Sequence, residues 1–247
     1  MLLTLSDVAL SDDFNPQWYA GVALGYAKSK QNLATATPYV APGFTTTSYW
    51  ADTVNPNNVS NSGSGQFSSD NAMGGAYAGF SSSFNPSYFW GLETGWLIFS
   101  ATHAGLQRTT YPAFSGFDPR TSIALKQNDI GYFVGKLGLS QDDWKLSVKG
   151  GAAISRLKLN LNFTDDTASI AYQKSGYRLG WATGIGLEKS INTHWSVRAD
   201  YMYTNFGSVS AGSNGLSDGA NNYTQSIFNS SYHVSNNLLS IGLQRNF

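Results

Sequence analysis

Few residues of this chain could act as a nucleophile or a general base. Cysteine is absent, and the histidines are His103, His194 and His233. His233 precedes Ser235 by two residues in the run His-Val-Ser-Asn, so its imidazole could activate the serine hydroxyl. No Asp or Glu follows to orient that histidine, although a triad is recognised by geometry and not by chain order. We therefore predict no enzyme, with His233 and Ser235 as the catalytic candidates to examine.

The chain offers no sequence signal for a metal, a cofactor or nucleic acid. His103 and His233 could approach each other, but two histidines do not specify a metal site. Gly184 and Gly186 lie in a strand-like stretch with no helix after it, so they are not a dinucleotide loop. The 15 basic and 15 acidic residues balance, and no basic stripe is present. We expect no metal, no cofactor and no nucleic-acid partner.

Ion pairing is the other chemistry that the sequence suggests. Six charged residues occur in alternating stretches, each about three to six residues from a tight turn. Because a strand rises about 3.3 Å per residue, these charges are expected to lie in one layer of the structure. Strand parity places all six on the side opposite the large apolar residues. They are Glu93, Lys136, Lys149, Glu188, Arg198 and Asp200. Their order along the chain predicts that Glu93 pairs with Lys136, and Lys149 with Glu188.

The elements that position these charges are β-strands. Between Gly180 and Gly207, large residues such as Trp181, Ile185 and Leu187 alternate with glycine, alanine and a few charges. This period of two is that of a strand. Its small or charged inner face and its aromatic outer face are typical of a barrel wall between lipid and a narrow polar lumen. A soluble sandwich would point its apolar side inward.

Composition supports a membrane barrel. The chain has 26 glycines and 14% aromatic residues, and only 12% of its residues are charged, against about a quarter in soluble domains. No window of about 18 apolar residues exists, which excludes a spanning helix. We predict an all-β, antiparallel up-and-down transmembrane barrel over residues 18–247, preceded by a mobile periplasmic leader at 1–17.

The alternating segments predict eight strands, joined by three short turns and four long polar loops. We expect the loops at about 28–69, 101–127, 159–175 and 208–233, with a possible hairpin from Thr45 to Trp50 in the first. An aromatic residue on the lipid face marks strand ends near the turns or chain termini, as interfacial girdles do. These residues are Trp18, Phe80, Trp90, Trp144, Trp195 and Phe247.

Several strand and turn sequences resemble the OmpA-type eight-stranded domain and its porin-like and opacity-like relatives. They are NPQWYAGVALGYA, VGKLGLSQDDWKLSVKGGAA, GIGLEKSINTHWSVRADYMYTNFG and LLSIGLQRNF. The resemblance implies that Leu239, Ile241, Leu243 and Phe247 form an assembly signal for the barrel-assembly machinery. It also implies that the charge cluster, apart from Asp200, corresponds to an internal gate. The run at His233 is similar to a motif of outer-membrane lipid A deacylases.

Three functions follow from this interpretation. The first is a non-enzymatic outer-membrane protein of a Gram-negative bacterium that is closed by its charge network. Such a protein would contact lipid and lipopolysaccharide through its wall, and a host or surface ligand through its loops. The second is a narrow porin-like pore, and the third is a lipid A-modifying enzyme. In each case both termini are expected in the periplasm.

Overall fold

The computed structural model describes residues 16–37, 48–50, 53–111, 116–212, 215–226 and 228–247. These residues form ten strands and one helix. The elements are β1 Gln17–Ala36, α1 Val54–Ser62, β2 Gly65–Asn85, β3 Tyr88–Arg108, β4 Arg120–Gln141, β5 Trp144–Thr164, β6 Ser169–Ser190, β7 Trp195–Gly212, β8 Leu216–Ser217, β9 Asn222–Tyr223 and β10 Asn229–Asn246.

Eight of these strands close an antiparallel ring. Each strand from β1 to β7 pairs with the next, β7 pairs with β10, and β10 returns to β1. The eight-stranded up-and-down barrel predicted from the sequence is therefore confirmed. The two-residue strands β8 and β9 pair with each other in the β7–β10 connection, where β8 also meets Ser169 of β6.

One end of the barrel, which we call the turn end, carries the first residue of β1, the last of β10 and three short turns. Side chains of turn residues fix two of them. Asn85 Oδ1 accepts hydrogen bonds from the backbone N–H groups of Ser87 and Tyr88. Asn192 Oδ1 does the same for His194 and Trp195. These are turns stabilised by an Asn side chain. The opposite end is called the loop end.

The strands are longer than predicted, so the expected loops are shorter. The predicted loop at 159–175 is instead the end of β5, a turn at 165–168 and the start of β6. Long parts of 28–69, 101–127 and 208–233 are likewise strand, and the first contains α1. The predicted hairpin at 45–50 and the leader at 1–17 lie largely outside the described residues.

Near the turn end the wall is apolar outside and polar inside. Leu24 is 74% exposed and Ile241 66% exposed, whereas inward Glu93 and Arg198 are buried. The lipid-facing band on β6 runs from Leu187 to Tyr177. At about 3.3 Å per residue, reduced by a tilt of 35 to 45°, this length matches the roughly 25 Å apolar band of such barrels.

Near the loop end the sidedness of the wall reverses. On β5 the inward residues Leu157, Leu159, Leu161 and Phe163 are 2 to 5% exposed. The outward residues of the same segment are polar, as in Arg156-Leu-Lys158-Leu-Asn160. This half has an apolar core and a hydrophilic surface, like a soluble barrel. Its polar outer face explains why the sequence pattern indicated loops there.

Aromatic residues mark both edges of the apolar band. At the turn end Trp18, Phe80 and Trp90 contact one another with ring centroids 5.3 and 5.5 Å apart, across β1, β2 and β3. Trp144, Trp195 and Phe247 are exposed at the same level. A second row, which the sequence analysis did not identify, includes Trp181 in contact with Tyr203 at 5.3 Å.

Among the described residues, α1 is the one α-helix, and no helix is long and apolar enough to cross a membrane.

The reversal of sidedness predicts opposite responses to lysine at two outward positions of β1. Val22 lies within the apolar band and Asn32 lies beyond it. Val22→Lys should lower the free energy of unfolding by about 2 to 4 kcal/mol, because a lipid-facing charge near the bilayer midplane costs that much. Asn32→Lys is the matched control and should change stability little. Urea titrations in lipid vesicles measure both, and equal effects would contradict the reversal.

Candidate functional site

Glu93 is the centre of a buried ion-pair cluster in the lumen. It comes from β3, and its carboxylate accepts two hydrogen bonds from Arg198 of β7, at 2.8 Å from Nη1 and 2.9 Å from Nη2. The hydroxyls of Tyr19 and Tyr132 donate to the same carboxylate at 2.9 and 3.1 Å. Glu93 is therefore held by a bidentate guanidinium and two neutral donors, the geometry that makes a charge pair strong.

Two lysines complete the cluster. Lys149 Nζ lies 3.3 Å from Glu93 Oε1 and 2.5 Å from Asp200 Oδ1, and Lys136 Nζ lies 3.5 Å from Glu93 Oε2. Asp200 also accepts from Arg198 Nε at 2.5 Å. The cluster links four strands, β3, β4, β5 and β7. Each charge has an opposite partner, which burial in a narrow interior requires.

Glu188 lies at the edge of this cluster and not within it. It is partly exposed, and its Oε1 accepts from Gln244 Nε2 at 3.0 Å, while Gln244 Oε1 accepts from Arg198 at 3.4 Å. The predicted pairing of Lys149 with Glu188 is wrong. The β5–β6 register places Lys149 opposite Gly184, so Lys149 reaches Glu93 and Asp200 instead.

Two tyrosine rings pack against the cations of the cluster. The guanidinium of Arg198 lies 3.9 Å from the Tyr77 ring centroid, and Lys136 Nζ lies 4.3 Å from that of Tyr19. These cation–π contacts stabilise cations that are removed from water. The remaining cavity at the cluster is about 20 Å³, which is room for a single water molecule.

A polar layer separates the ion pairs from the apolar core. Gln127 Nε2 donates to Ser155 Oγ at 2.9 Å, Ser155 Oγ donates to the Asp129 carbonyl at 2.6 Å, and Ser29 Oγ donates to Gln127 Oε1 at 3.4 Å. Both Gln127 and Ser155 are fully buried. The inward side chains thus form three successive layers in the lumen, which are ionic, polar and apolar from the turn end upward.

Asp165 holds a cap over the apolar core at the loop end. Its Oδ2 accepts from the hydroxyls of Tyr49 at 2.7 Å and Tyr111 at 3.0 Å, which come from two other connections. Its Oδ1 accepts from the backbone N–H groups of Thr167 and Ala168. Burial, together with the adjacent carboxylate, raises the pKa of both tyrosines well above the ordinary value, so both stay protonated donors.

The candidate catalytic residues do not come together as a triad. His233 and Ser235 sit at odd positions of β10, whereas the inward positions there are even, as in Tyr232, Val234 and Asn236. Ser235 is buried and His233 is half-buried. His233 Nε2 lies 3.3 Å from Asn205 Nδ2. His103 contacts Ser69, and His194 contacts Thr193. Within the described part of the chain, no group of three His, Asp or Glu side chains could hold a metal ion.

The residues of the expected assembly signal share the lipid face of the closing strand. Leu239, Ile241, Leu243 and Phe247 are all exposed on or directly after β10. This strand pairs with β1 on one side and β7 on the other, so it completes the ring.

The family model named outer membrane protein beta-barrel domain matches residues 1–247. The chain belongs to this family. Membership places it in the bacterial outer membrane and agrees with the eight-stranded ring, the apolar band and the aromatic rows described above.

Individual relatives add detail on the fold. A 58-residue segment is 33% identical to the 31 kDa outer-membrane immunogenic protein of Brucella melitensis and to that of Brucella suis, and spans 24% of this chain and about a quarter of those relatives. The outer membrane protease OmpT of Escherichia coli is similar in structure, with a TM-score of 0.50 at 11% identity, covering 94% of this chain and 97% of that one. The attachment invasion locus protein Ail of Yersinia pestis has a TM-score of 0.34 at 13% identity, with coverage of 92% and 97%.

The geometry of the cluster predicts which carboxylate matters most for stability. Glu93→Ala should lower the free energy of unfolding by about 3 to 5 kcal/mol, because it leaves buried cations uncompensated. Combining it with Arg198→Ala should recover part of that loss. Urea titrations in lipid vesicles measure each effect.

Glu188→Ala is the control for this prediction, because the Glu188 carboxylate accepts a hydrogen bond from Gln244 and lies at the cluster's edge. It should cost clearly less than Glu93→Ala. Equal losses for the two variants, or no recovery in the double variant, would contradict the assignment of Glu93 as the centre.

The contacts of Asp165 predict local opening of the cap when that carboxylate is removed. Asp165→Ala removes the acceptor of the buried Tyr111 hydroxyl, of the half-buried Tyr49 hydroxyl and of two backbone N–H groups. Each buried group left unsatisfied costs about 1 to 3 kcal/mol. Hydrogen exchange at the Ala168 amide should therefore accelerate strongly. Exposed Asp166 provides the control as Asp166→Asn, and unchanged exchange in Asp165→Ala would contradict the proposed cap.

Proposed function

We propose that this chain is a non-enzymatic outer-membrane barrel with a closed lumen, which presents a rigid extension beyond the membrane for contact with a host or a neighbouring surface. The observation that carries the proposal is the filling of the interior by the three layers described above. An eight-stranded barrel is just wide enough for side chains to fill, so these layers leave no continuous aqueous path.

The arrangement of the charges argues against the porin-like alternative. A conducting lumen needs charges that face water, whereas Glu93, Lys149 and Arg198 are at most 7% exposed and bond to one another. The apolar core above them adds a second barrier, since Leu159, Leu161 and Phe163 project into the same lumen.

The outer surface of the loop-end half supports a role in contact. It is polar and extends beyond the apolar band, with Lys30, Asn32 and Arg156 on its strands. Strands are more rigid than loops, so they fix the positions of α1 and the β8–β9 pair at the tip. We assign the loop end to the cell exterior and both termini to the periplasm, because short turns face the periplasm in this class of barrel.

The lipid-modifying alternative has less support. His233 lies beside Asn205, and no carboxylate is among the hydrogen-bond partners of its ring in the described residues.

The outer wall is expected to contact lipid and lipopolysaccharide, and the exposed face of β10 to contact the assembly machinery.

Single-channel recording in planar bilayers tests the proposal. The wild-type protein should show no steady conductance, because the lumen is filled. The double variant Glu93→Ala with Arg198→Ala removes the central pair and serves as a comparison for leakage through the lower layer. A steady, ion-selective conductance of the wild type would overturn the closed barrel in favour of the pore.

A further inference from the structure

The barrel wall has a gap between β6 and β7. These strands pair from Ser190 opposite Ser196 up to Trp181 opposite Asn205, and the pairing ends there. Above that level β6 continues to Ser169 paired with β5, and β7 continues to Gly212 paired with β10. Among the described residues, the one further strand pairing that β6 makes on this side is that of Ser169 with β8 at its tip.

A β-bulge on β7 accounts for the position of the gap. Two residues, Phe206 and Gly207, oppose the single residue Val234 of β10, and Gly207 has a φ of +65°. Asn205 Oδ1 accepts from the Gly207 N–H at 2.8 Å and fixes this conformation. A bulge bends its strand and increases its twist, which here turns β7 away from β6 where their pairing stops.

The gap opens into an apolar cavity inside the barrel. The cavity has a volume of about 240 Å³. Its walls include Leu125, Leu157, Leu159, Val209, Tyr232 and Val234. All six are buried residues of β4, β5, β7 and β10.

Two cations line the opening on β6. Lys174 and Arg178 stand at even positions, which face inward on this strand, and both border the cavity. Lys174 Nζ donates to the Ser210 carbonyl at 3.2 Å, across the gap. Among the described residues no acidic side chain lines the cavity, so the opening carries a positive charge.

The opening lies at the edge of the apolar band. On the outer face of β6, Tyr177 is 62% exposed and also borders the cavity, and Leu179 is 75% exposed. The Trp181–Tyr203 pair marks the same level. With the loop end outside the cell, as proposed above, the cavity opens sideways where lipid chains meet headgroups.

We propose that this cavity binds the alkyl chain of an anionic amphiphile that enters laterally from the outer leaflet, with its anionic group at Lys174 and Arg178. The apolar walls suit a chain, the cations suit a carboxylate or phosphate, and the volume suits one short chain or chain end. The occupant is either a free single-chain amphiphile or an acyl chain of lipopolysaccharide. The assignment depends on the orientation proposed above but not on whether the lumen conducts.

Photolabelling in phosphatidylcholine bilayers tests this site directly. The probe is decanoic acid with a terminal diazirine, and mass spectrometry locates the labelled residues. Labelling should be saturable and should fall on inward residues such as Leu157 and Val234, which bulk lipid cannot reach. A trimethylammonium probe with the same chain should label these residues much less. Labels confined to lipid-facing residues such as Leu179 would overturn the proposal.

Two substitutions on β6 provide a matched pair. Gly176 borders the cavity and a Cβ there meets nothing within 4 Å, so Gly176→Trp should block the opening and abolish interior labelling. Gln173→Trp, on the same strand, adds the same ring to the outer face at a residue that does not line the cavity, and it should leave labelling intact. The unboiled gel mobility of each variant reports folding. Unchanged interior labelling in folded Gly176→Trp would contradict the site.

Two further experiments test the role of the cations and the source of the bound alkyl chain. Lys174→Gln with Arg178→Gln should raise the half-saturating probe concentration roughly three- to tenfold, as expected for two partly exposed cations. An unchanged value would overturn the role of the cations.

Interior labelling that disappears when lipopolysaccharide is added assigns the cavity to its acyl chain, and labelling that persists assigns it to a free amphiphile. Because no ion flow is measured, failure here is distinct from failure of the closed-barrel proposal.

Discussion

Strand alternation in a closed ring gives each position of the wall a fixed side, and the rest of the structure depends on this constraint. Eight strands leave an interior only wide enough for side chains, so every inward residue must pack against others. Within the apolar band the outward residues meet lipid, and polarity is therefore confined to the lumen. Beyond the band the outward residues meet water, and the lumen becomes the apolar core, with Leu157 to Phe163 as its clearest segment.

The ion-pair cluster follows from this arrangement. Charges that point into a narrow, poorly hydrated lumen must be neutralised, and Glu93 achieves this by accepting from Arg198, Lys149, Tyr19 and Tyr132. A buried ion pair does not necessarily stabilise the fold more than apolar side chains of the same size would. Removing one member of the pair, however, leaves an uncompensated buried charge, which is strongly destabilising. The cluster therefore ties β3, β4, β5 and β7 into one register.

Much of the lower barrel could be predicted from the sequence, because period-two alternation of aromatic and small residues is strong there. The eight strands, the exposed aromatic residues from Trp18 to Phe247 and the inward parity of Glu93 and Arg198 all follow from it. The register between strands does not, so Lys149 was paired with the wrong carboxylate. The upper strands were predicted as loops, because Ser, Thr and Asn on a hydrated outer face also occur in connections.

The alternation of apolar and polar residues in the sequence does not predict the gap between β6 and β7 either. Its signal is a single glycine at Gly207, where the inward positions of β7 change from even to odd. One inserted residue therefore has two consequences, because it moves Val209 to the interior and separates the two strands. Local backbone geometry thus decides where an otherwise continuous wall gives access to its core.

Site-directed spin labelling along β1 tests the reversal of sidedness most directly, and the absence of native cysteine makes single labels simple to place. Labels at outward positions 18 to 26 should collide with oxygen dissolved in lipid, and those at 30 to 34 with a water-soluble nickel complex. Inward labels at 23 and 31 should be shielded from both. Oxygen contact that continues to position 34, or nickel contact at the inward positions, would contradict the account.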